Sequence, residues 1–343
     1  MLLRWGICGC GKISSDFAQS LSLQKQDEQK LTAIAASNLE RANQFAETLK
    51  LNDVLTFGSY EELFKSPEVD VVYIGLLNHV HKSVILEALK KGKHVLSEKP
   101  LGLNAAEVRE MVDCARQNSR FLMEGYWTRF FPVWKEVKAQ IKSGVIGQVK
   151  ILSADFGFIY LIDNKMVPEF GGGCLMSLGC YLPMLACFVF DDQPTAITAI
   201  GYRTETGVDD SATVTLQFSR NRMAHLLYSF SSSLPCQGSI CGSKGRIQIP
   251  HHLWCPTDLV VIEGTKLEEK SRKYKFPLPE STGMTFNHPN GSGMVYEQQC
   301  VRECILSGET ECSAMSWAQS IQLAEIMDEI RRQLGVKFPQ DSF

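Results

Sequence analysis

Apolar and polar positions follow two rhythms along this chain. Up to about residue 125, short apolar runs alternate with stretches whose apolar positions recur at helical spacing. Leu3–Cys8 is an apolar run ending in glycines, Ile13–Leu23 fits a helix and Leu31–Ala36 a second strand. Leu39–Leu49 fits a helix behind Asn38, a good N-cap, and Ser59-Tyr60-Glu61-Glu62 opens another as a capping box. Val69–Ile74 has the look of a strand buried on both faces. His79–Lys91 reads as a helix, His94–Ser97 as a strand, the stretch from Asn104 to Gln117 as a helix and Phe121–Glu124 as a strand. Strands separated by helices of this length predict βαβ units and a parallel sheet.

After about residue 150 the rhythm changes. Val149–Ile159, Ala196–Thr204, Ala212–Phe218 and Met223–Phe230 have strand patterns, the last two flanking the turn Ser219-Arg220-Asn221-Arg222. Strands in direct succession favour an antiparallel meander. Helices are expected from about Gly173 to Phe190, at Gly293–Ser307 and at Ser316–Leu334, where Ile321, Ala324, Met327, Ile330 and Leu334 share one face. The expected architecture is α/β. An N-terminal Rossmann parallel sheet over 1–125 is followed, over 126–343, by an α+β domain with an open, largely antiparallel sheet. The final helix has an apolar face with which to pack back on the first domain.

Composition narrows the function. With 343 residues, two domains are the natural expectation. A net charge of −3 lacks the basic footprint of a nucleic-acid binder. No run reaches the length of a membrane span, and the opening MLLRWGICGCG turns to glycine before a signal peptide's apolar stretch is complete. A cytoplasmic protein is therefore expected, its twelve cysteines reduced. Neither His251-His252-x-x-Cys255 nor Cys8-x-Cys10 has the further partners of a zinc site, so no metal is expected. No Gly-x-Ser-x-Gly elbow supports a serine hydrolase.

The segment Gly6-Ile7-Cys8-Gly9-Cys10-Gly11-Lys12-Ile13-Ser14 joins the first strand to the first helix. Gly9 permits the tight turn, Gly11 lets backbone approach a pyrophosphate, and Ser14 is small enough for close helix–strand packing. Cys10, Lys12 and Ile13 complete a turn whose N–H groups face the phosphates. Cys10, near a helix N-terminus, is also a candidate for a lowered thiol pKa. NAD-binding folds carry an acid at the end of the second strand for the ribose 2′-hydroxyl. Here the residues are Ala35-Ala36-Ser37-Asn38, with Arg41 one turn on. Ser37 and Asn38 can donate to a 2′-phosphate and Arg41 can pair with it, so NADP is expected ahead of NAD. Glu98-Lys99-Pro100 follows a strand at the edge that faces the ligand crevice, where a lysine can hold the nicotinamide ribose; on the residues alone, a surface lysine before a turn is the stronger reading. His81 lies close to the same edge, as a cofactor or substrate contact or as a helix residue with no ligand.

The glycine turn, His81, Glu98-Lys99-Pro100 and Gly171-Gly172-Gly173 resemble the Gfo/Idh/MocA oxidoreductases. Longer strings carry the likeness over nearly the whole chain, among them Asn104-Ala105-Ala106-Glu107-Val108-Arg109, Trp127-Thr128-Arg129-Phe130-Phe131-Pro132 and Gly335-Val336-Lys337-Phe338-Pro339. They are similar to the branch that oxidises trans-dihydrodiols and aldopyranoses such as D-xylose. The resemblance implies a homodimer formed through the second domain's sheet. It also implies that Lys99 acts with a residue on the helix after the glycine triplet. Many members carry Asp and His there, four residues apart, and this branch carries Asp and Tyr. This chain has Ser177 and Tyr181. Tyrosine titrates near ~10, and a nearby ammonium favours its phenolate, so Tyr181 with Lys99 forms a workable base. Packing alone would also account for an aromatic at 181. Ser177 supplies no charge, which opens the alternative of a weakened NADP(H)-binding sensor or structural protein. Trp127, Phe156 and Trp254 are candidate walls for a cyclic substrate, with core packing the alternative. Arg129 reads as structural.

Overall fold

Strict alternation of strand and helix builds the first sheet. In the computed structural model, which describes residues 1–159, 166–264 and 268–342, the order is β1 (Leu3–Cys8), α1 (Lys12–Ser22), β2 (Gln29–Ala35), α2 (Leu39–Thr48), β3 (Leu55–Phe57) and α3 (Tyr60–Lys65). It continues with β4 (Val71–Ile74), α4 (Asn78–Lys90), β5 (His94–Glu98), α5 (Ala105–Gln117) and β6 (Leu122–Gly125). The strands are parallel in the order β3-β2-β1-β4-β5-β6, the doubly wound arrangement whose ligand crevice lies where β1 and β4 diverge. Phe17 of α1 stacks on Tyr73 of β4 at 3.7 Å and meets Trp5 of β1 edge-on at 5.2 Å. These rings hold the first helix across the two central strands. Asn38 and Ser59 cap α2 and α3 as predicted, accepting from the N–H groups of Arg41 and Glu62. The short edge strand β3 was not foreseen, because three half-exposed residues carry no period.

The second half contains α6 (Pro132–Ser143), β7 (Val149–Gly157), α7 (Tyr181–Phe190), β8 (Ala196–Arg203), β9 (Asp209–Phe218) and β10 (Arg222–Ser229). It continues with β11 (Gly238–Gly242), β12 (Gly245–Ile249), β13 (Asp258–Glu263) and β14 (Lys270–Lys275). The eight strands form one sheet in the order β14-β13-β12-β11-β7-β10-β9-β8. The predicted meander β8-β9-β10 is present, but the sheet is mixed, since β10 runs parallel to β7. The strands β11 to β14 escaped the sequence pattern: β11 and β12 are five residues each and open on glycine, and the edge strand Lys-Ser-Arg-Lys-Tyr-Lys is mostly basic, as edge strands that resist further pairing are.

One further correction concerns a helix. The predicted helix from Gly173 to Phe190 is broken into a π-helical turn, Leu175–Gly179, followed by α7. Pro183 has no N–H to give the carbonyl of Gly179, and the ladder upstream widens, with the Cys180 N–H donating five residues back to Leu175 at 2.6 Å. Contacts along the chain group it into two compact units. One compact unit comprises Met1–Gly102, Ala106–Phe130 and Leu278–Ile321, and the other Leu103–Ala105, Phe131–Pro277 and Gln322–Phe343. The segment from Leu278, with α8 (Val295–Leu306), therefore belongs with the first sheet. The last helix, α9 (Trp317–Leu334), has its first residues in one unit and the rest in the other. Its Ala324, Met327 and Ile330 are buried as predicted, while Ile321 and Leu334 are half-buried. Among the described residues no single helix is long and apolar enough to cross a membrane.

Candidate functional site: a dinucleotide cradle and an aromatic cluster

The first unit carries the cradle. Gly9 follows β1 with φ +97°, and a Cβ there would lie 2.7 Å from the Gly75 carbonyl, so only glycine fits. Gly75 ends β4 so close to α1 that a Cβ on it would come within 2.3 Å of Ser14 Oγ. Ser14, fully buried, fills the place predicted for the third small residue. Gly11 is the N-cap of α1, with no side-chain cap and no acid in the first turn. A Cβ on Gly11 would find nothing nearer than the Gly75 carbonyl at 4.0 Å. An uncapped helix N-terminus facing open space beside two glycines fits a pyrophosphate.

A cleft of about 350 Å³ adjoins this turn, lined by Cys10, Gly11, Lys12, Arg41, Gln44 and Asn287 among others. Arg41 bonds Ser37 Oγ through Nη1 at 3.4 Å, and its backbone N–H is held by Asn38 Oδ1 at 2.9 Å. Ser37, Asn38 and Arg41 are thus gathered, exposed, at the end of β2, where an NAD site would carry a carboxylate. The expectation for Cys10 is overturned: burial pushes its thiol up to about 11 despite the Arg41 charge, so the helix N-terminus does not activate it.

Asn287 was missed by sequence reasoning, as was the group that holds it. Asp16, fully buried in α1, accepts from the backbone and side-chain N–H groups of Asn287, both at 2.8 Å, and from the N–H and Nδ1 of His288 at 2.9 and 2.7 Å. Burial raises its pKa, but these donors outweigh that and hold the carboxylate below its usual range. Nothing within ten residues of Asp16 hints at partners 271 positions away.

At the other end of the crevice, Glu98 is buried and accepts from the Tyr73 hydroxyl at 2.7 Å. Burial raises its pKa against the opposing pull of Lys99, and Lys99 exerts the same pull on Glu124. Glu124 accepts from the Leu101 N–H at 2.8 Å and so fixes the loop that follows Lys99-Pro100; burial pushes its carboxyl up to about 7. His81 is fully buried with both ring nitrogens on carbonyls, Nδ1 to Pro100 at 3.0 Å and Nε2 to Leu76 at 3.1 Å. It ties the two crevice loops together, as a positioning residue does. Glu297 of α8 was not anticipated: both its oxygens are buried without a hydrogen-bond partner, and burial, then the neighbouring Glu98, drive its pKa well above the carboxylate range. Its sequence position reads only as a solvated acid in a helix's first turn.

The second unit gathers other predicted residues. Tyr181 opens α7 and meets Phe156 of β7 edge-on at 5.6 Å. Phe156 stacks on Trp254 at 4.4 Å. Ser177, half-exposed, lies in the π-helical turn just before α7. Asp209 anchors that turn: it is fully buried and accepts from the Leu175 N–H at 2.6 Å. A Cβ on Gly173 would fall 2.3 Å from its Oδ1, which explains the last glycine of the triplet. Burial raises the Asp209 carboxyl to about 6. Trp127 belongs to the first unit, in the 3₁₀ turn Trp127–Phe130, and Arg129 there bonds Gln319 at 2.9 Å, the structural role expected of it.

Residues 3–126 match the model of an oxidoreductase family with an NAD-binding Rossmann fold, and residues 134–248 match that family's C-terminal domain. The chain belongs to the Gfo/Idh/MocA oxidoreductase family. Trans-1,2-dihydrobenzene-1,2-diol dehydrogenase of Xenopus tropicalis is 43% identical over 99% of this chain and 100% of its own length. The human protein of the same name is 40% identical over 99% of both. Solved structures share the fold. KijD10, a 3-ketoreductase from Actinomadura kijaniata crystallised with NADP, matches with a TM-score of 0.81 at 23% identity over 97% of this chain and 98% of its own. An aldose-aldose oxidoreductase from Caulobacter crescentus matches with a TM-score of 0.83 at 21% identity over 98% of both. A Gfo/Idh/MocA chain is an oxidoreductase whose N-terminal part has an NAD-binding Rossmann fold, and the Gly9–Ser14 turn lies within that matched stretch.

Proposed function

We propose that this oxidoreductase is an NADP-dependent dehydrogenase oxidising a trans-dihydrodiol or an aldopyranose of the D-xylose type. The observation that carries the reading is the Tyr181 phenol set against the Phe156–Trp254 stack. An aromatic wall takes the flat face of a cyclic diol or sugar, and the phenol offers a proton acceptor at its edge. Names carried by relatives at 40–43% identity support the same substrate class.

When bound, the nicotinamide accepts hydride from the alcohol carbon. The protein's own groups do the rest. The uncapped N-terminus of α1 binds the pyrophosphate, while Arg41 and Ser37 take a 2′-phosphate. Glu98 and Lys99 hold the nicotinamide ribose. Tyr181 removes the hydroxyl proton, and the reaction requires the Lys99 ammonium to favour its phenolate. Trp127, Phe156, Ser177 and Trp254 contact substrate.

The purified protein, given NADP or NAD with a panel of dihydrodiols, D-xylose and other aldoses, should produce reduced nicotinamide with NADP preferred. Tight NADPH binding with no turnover would instead favour a sensor in which Ser177 has disarmed the site; in that case Ser177→Asp restores activity. We also propose a homodimer through the outer face of the eight-stranded sheet, where Ile151, Ile200, Tyr202 and Met223 are exposed. The twelve cysteines, none in a disulfide, suit the reducing cytoplasm as its working compartment.

A further inference from the structure

Three thiols converge in the first unit, away from the residues assigned above. Cys300 and Cys304 are one turn apart on α8 and therefore share a face. Cys312 comes back to them from the connection that precedes α9. The three sulfurs lie within 4.8 Å of one another, with Cys300 Sγ and Cys312 Sγ at 3.4 Å. Cys312 is buried and the other two are half-buried.

We propose that Cys300, Cys304 and Cys312 form a zinc site, three thiolates and one water around a single ion. Zinc–thiolate bonds of about 2.3 Å in a tetrahedron place sulfurs roughly 3.8 Å apart, so small side-chain rotations complete the site. The turn after Cys312 is closed by the Met315 N–H on the Cys312 carbonyl at 3.0 Å, which holds the loop that returns this thiol to α8. A disulfide would use only two of the three sulfurs. Binding is a simple exchange: three S–H protons leave to solvent as three S–Zn bonds form, and no electrons move.

The site has a mechanical role. The Thr310 carbonyl accepts from the Leu122 N–H at 3.0 Å, and Trp317 Nε1 donates to the Leu122 carbonyl at 2.9 Å, so the connection carrying Cys312 edges β6. The ion would staple α8 to that connection. Sequence reasoning overlooked the set because it sought short Cys and His spacings, and these thiols are brought together by a helix turn and a returning loop.

The test uses the full chain, reduced with a phosphine and freed of metal. One equivalent of cobalt(II) should give thiolate-to-cobalt charge-transfer absorption and the visible bands of a tetrahedral ion, both displaced by zinc. Excess zinc should raise the thermal midpoint by roughly 5 °C. Cys312→Ser should weaken zinc binding roughly 100-fold or more, taking loss of a first ligand to cost at least what loss of an outer-shell partner does. Half-buried Cys304→Ser serves if the buried substitution prevents folding, and Cys241→Ser, in the second unit, is the control that binds as the parent does. Absence of the cobalt spectrum in reduced protein, or a spectrum unchanged in Cys304→Ser, overturns the proposal. So does recovery of a Cys300–Cys312 disulfide that forms in the presence of excess zinc.

Discussion

A single phosphate separates the two coenzymes, and Arg41 is the residue we propose to recognise it. Charge-assisted hydrogen bonds contribute about 1.5–3 kcal/mol. Arg41→Ala should therefore weaken NADP binding by roughly 10-fold to 100-fold in calorimetry and leave NAD within about twofold. At Tyr181 the expectation is different: Tyr181→Phe keeps the ring against Phe156 and removes only the acid–base group. Its kcat should fall by about 10²-fold to 10⁴-fold with the NADPH dissociation constant unchanged. Both proposals start from the sequence, for separate reasons. The cradle and Arg41 are local, since a strand, a turn and a helix cap place them within a few residues of one another. Tyr181 was legible only through family resemblance, because in isolation it is one more aromatic in an apolar helix. The buried acids Asp16, Glu124, Asp209 and Glu297 were not legible at all. Each is placed by folding, and a carboxylate in a sequence looks the same whether it meets water or backbone N–H groups.

Helices and strands were read well where one period dominated, which covers every strand of the parallel sheet except β3. The reading failed where one residue interrupts a period, as Pro183 does, or where a strand is short and opens on glycine, as β11 and β12 do. The loop after β5 shows what elements ask of a buried acid. Glu124 has a folded pKa of about 7, above the ordinary value of 4.5 for a glutamate. Between those values the native protein keeps a proton that the unfolded chain has released. Its contribution is thus fully present below about pH 4.5 and is lost as the pH rises to about 7. Asp209, raised to about 6, acts in the same direction. Glu124→Gln keeps an oxygen for the Leu101 N–H and removes the titration. Thermal midpoints measured from pH 4.5 to 7.5 should show the variant gaining on the parent as pH rises, by an order of a few kcal/mol at the top. A constant difference across that range would mean that Glu124 does not titrate there.

The described residues form two sheets, and the eight-stranded one leaves a row of apolar side chains uncovered. Tyr202 is 79% exposed and Ile200 72% exposed on the same strand. If that face makes the homodimer, Tyr202→Arg should shift sedimentation from dimer to monomer and leave the first unit's NADP binding intact. A parent that sediments as a monomer at micromolar concentration would remove that assembly from consideration. The grip of Asp16 on Asn287 and His288 bears on how the protein is made. A ribosome delivering about 5–20 residues per second finishes the glycine turn early and releases Asn287 roughly 15–55 s later. Until then the acid awaits its four donors and the cleft lacks one wall. Coenzyme capture is thereby a late event in biosynthesis, and a nascent chain stalled before residue 278 should emerge unable to retain it.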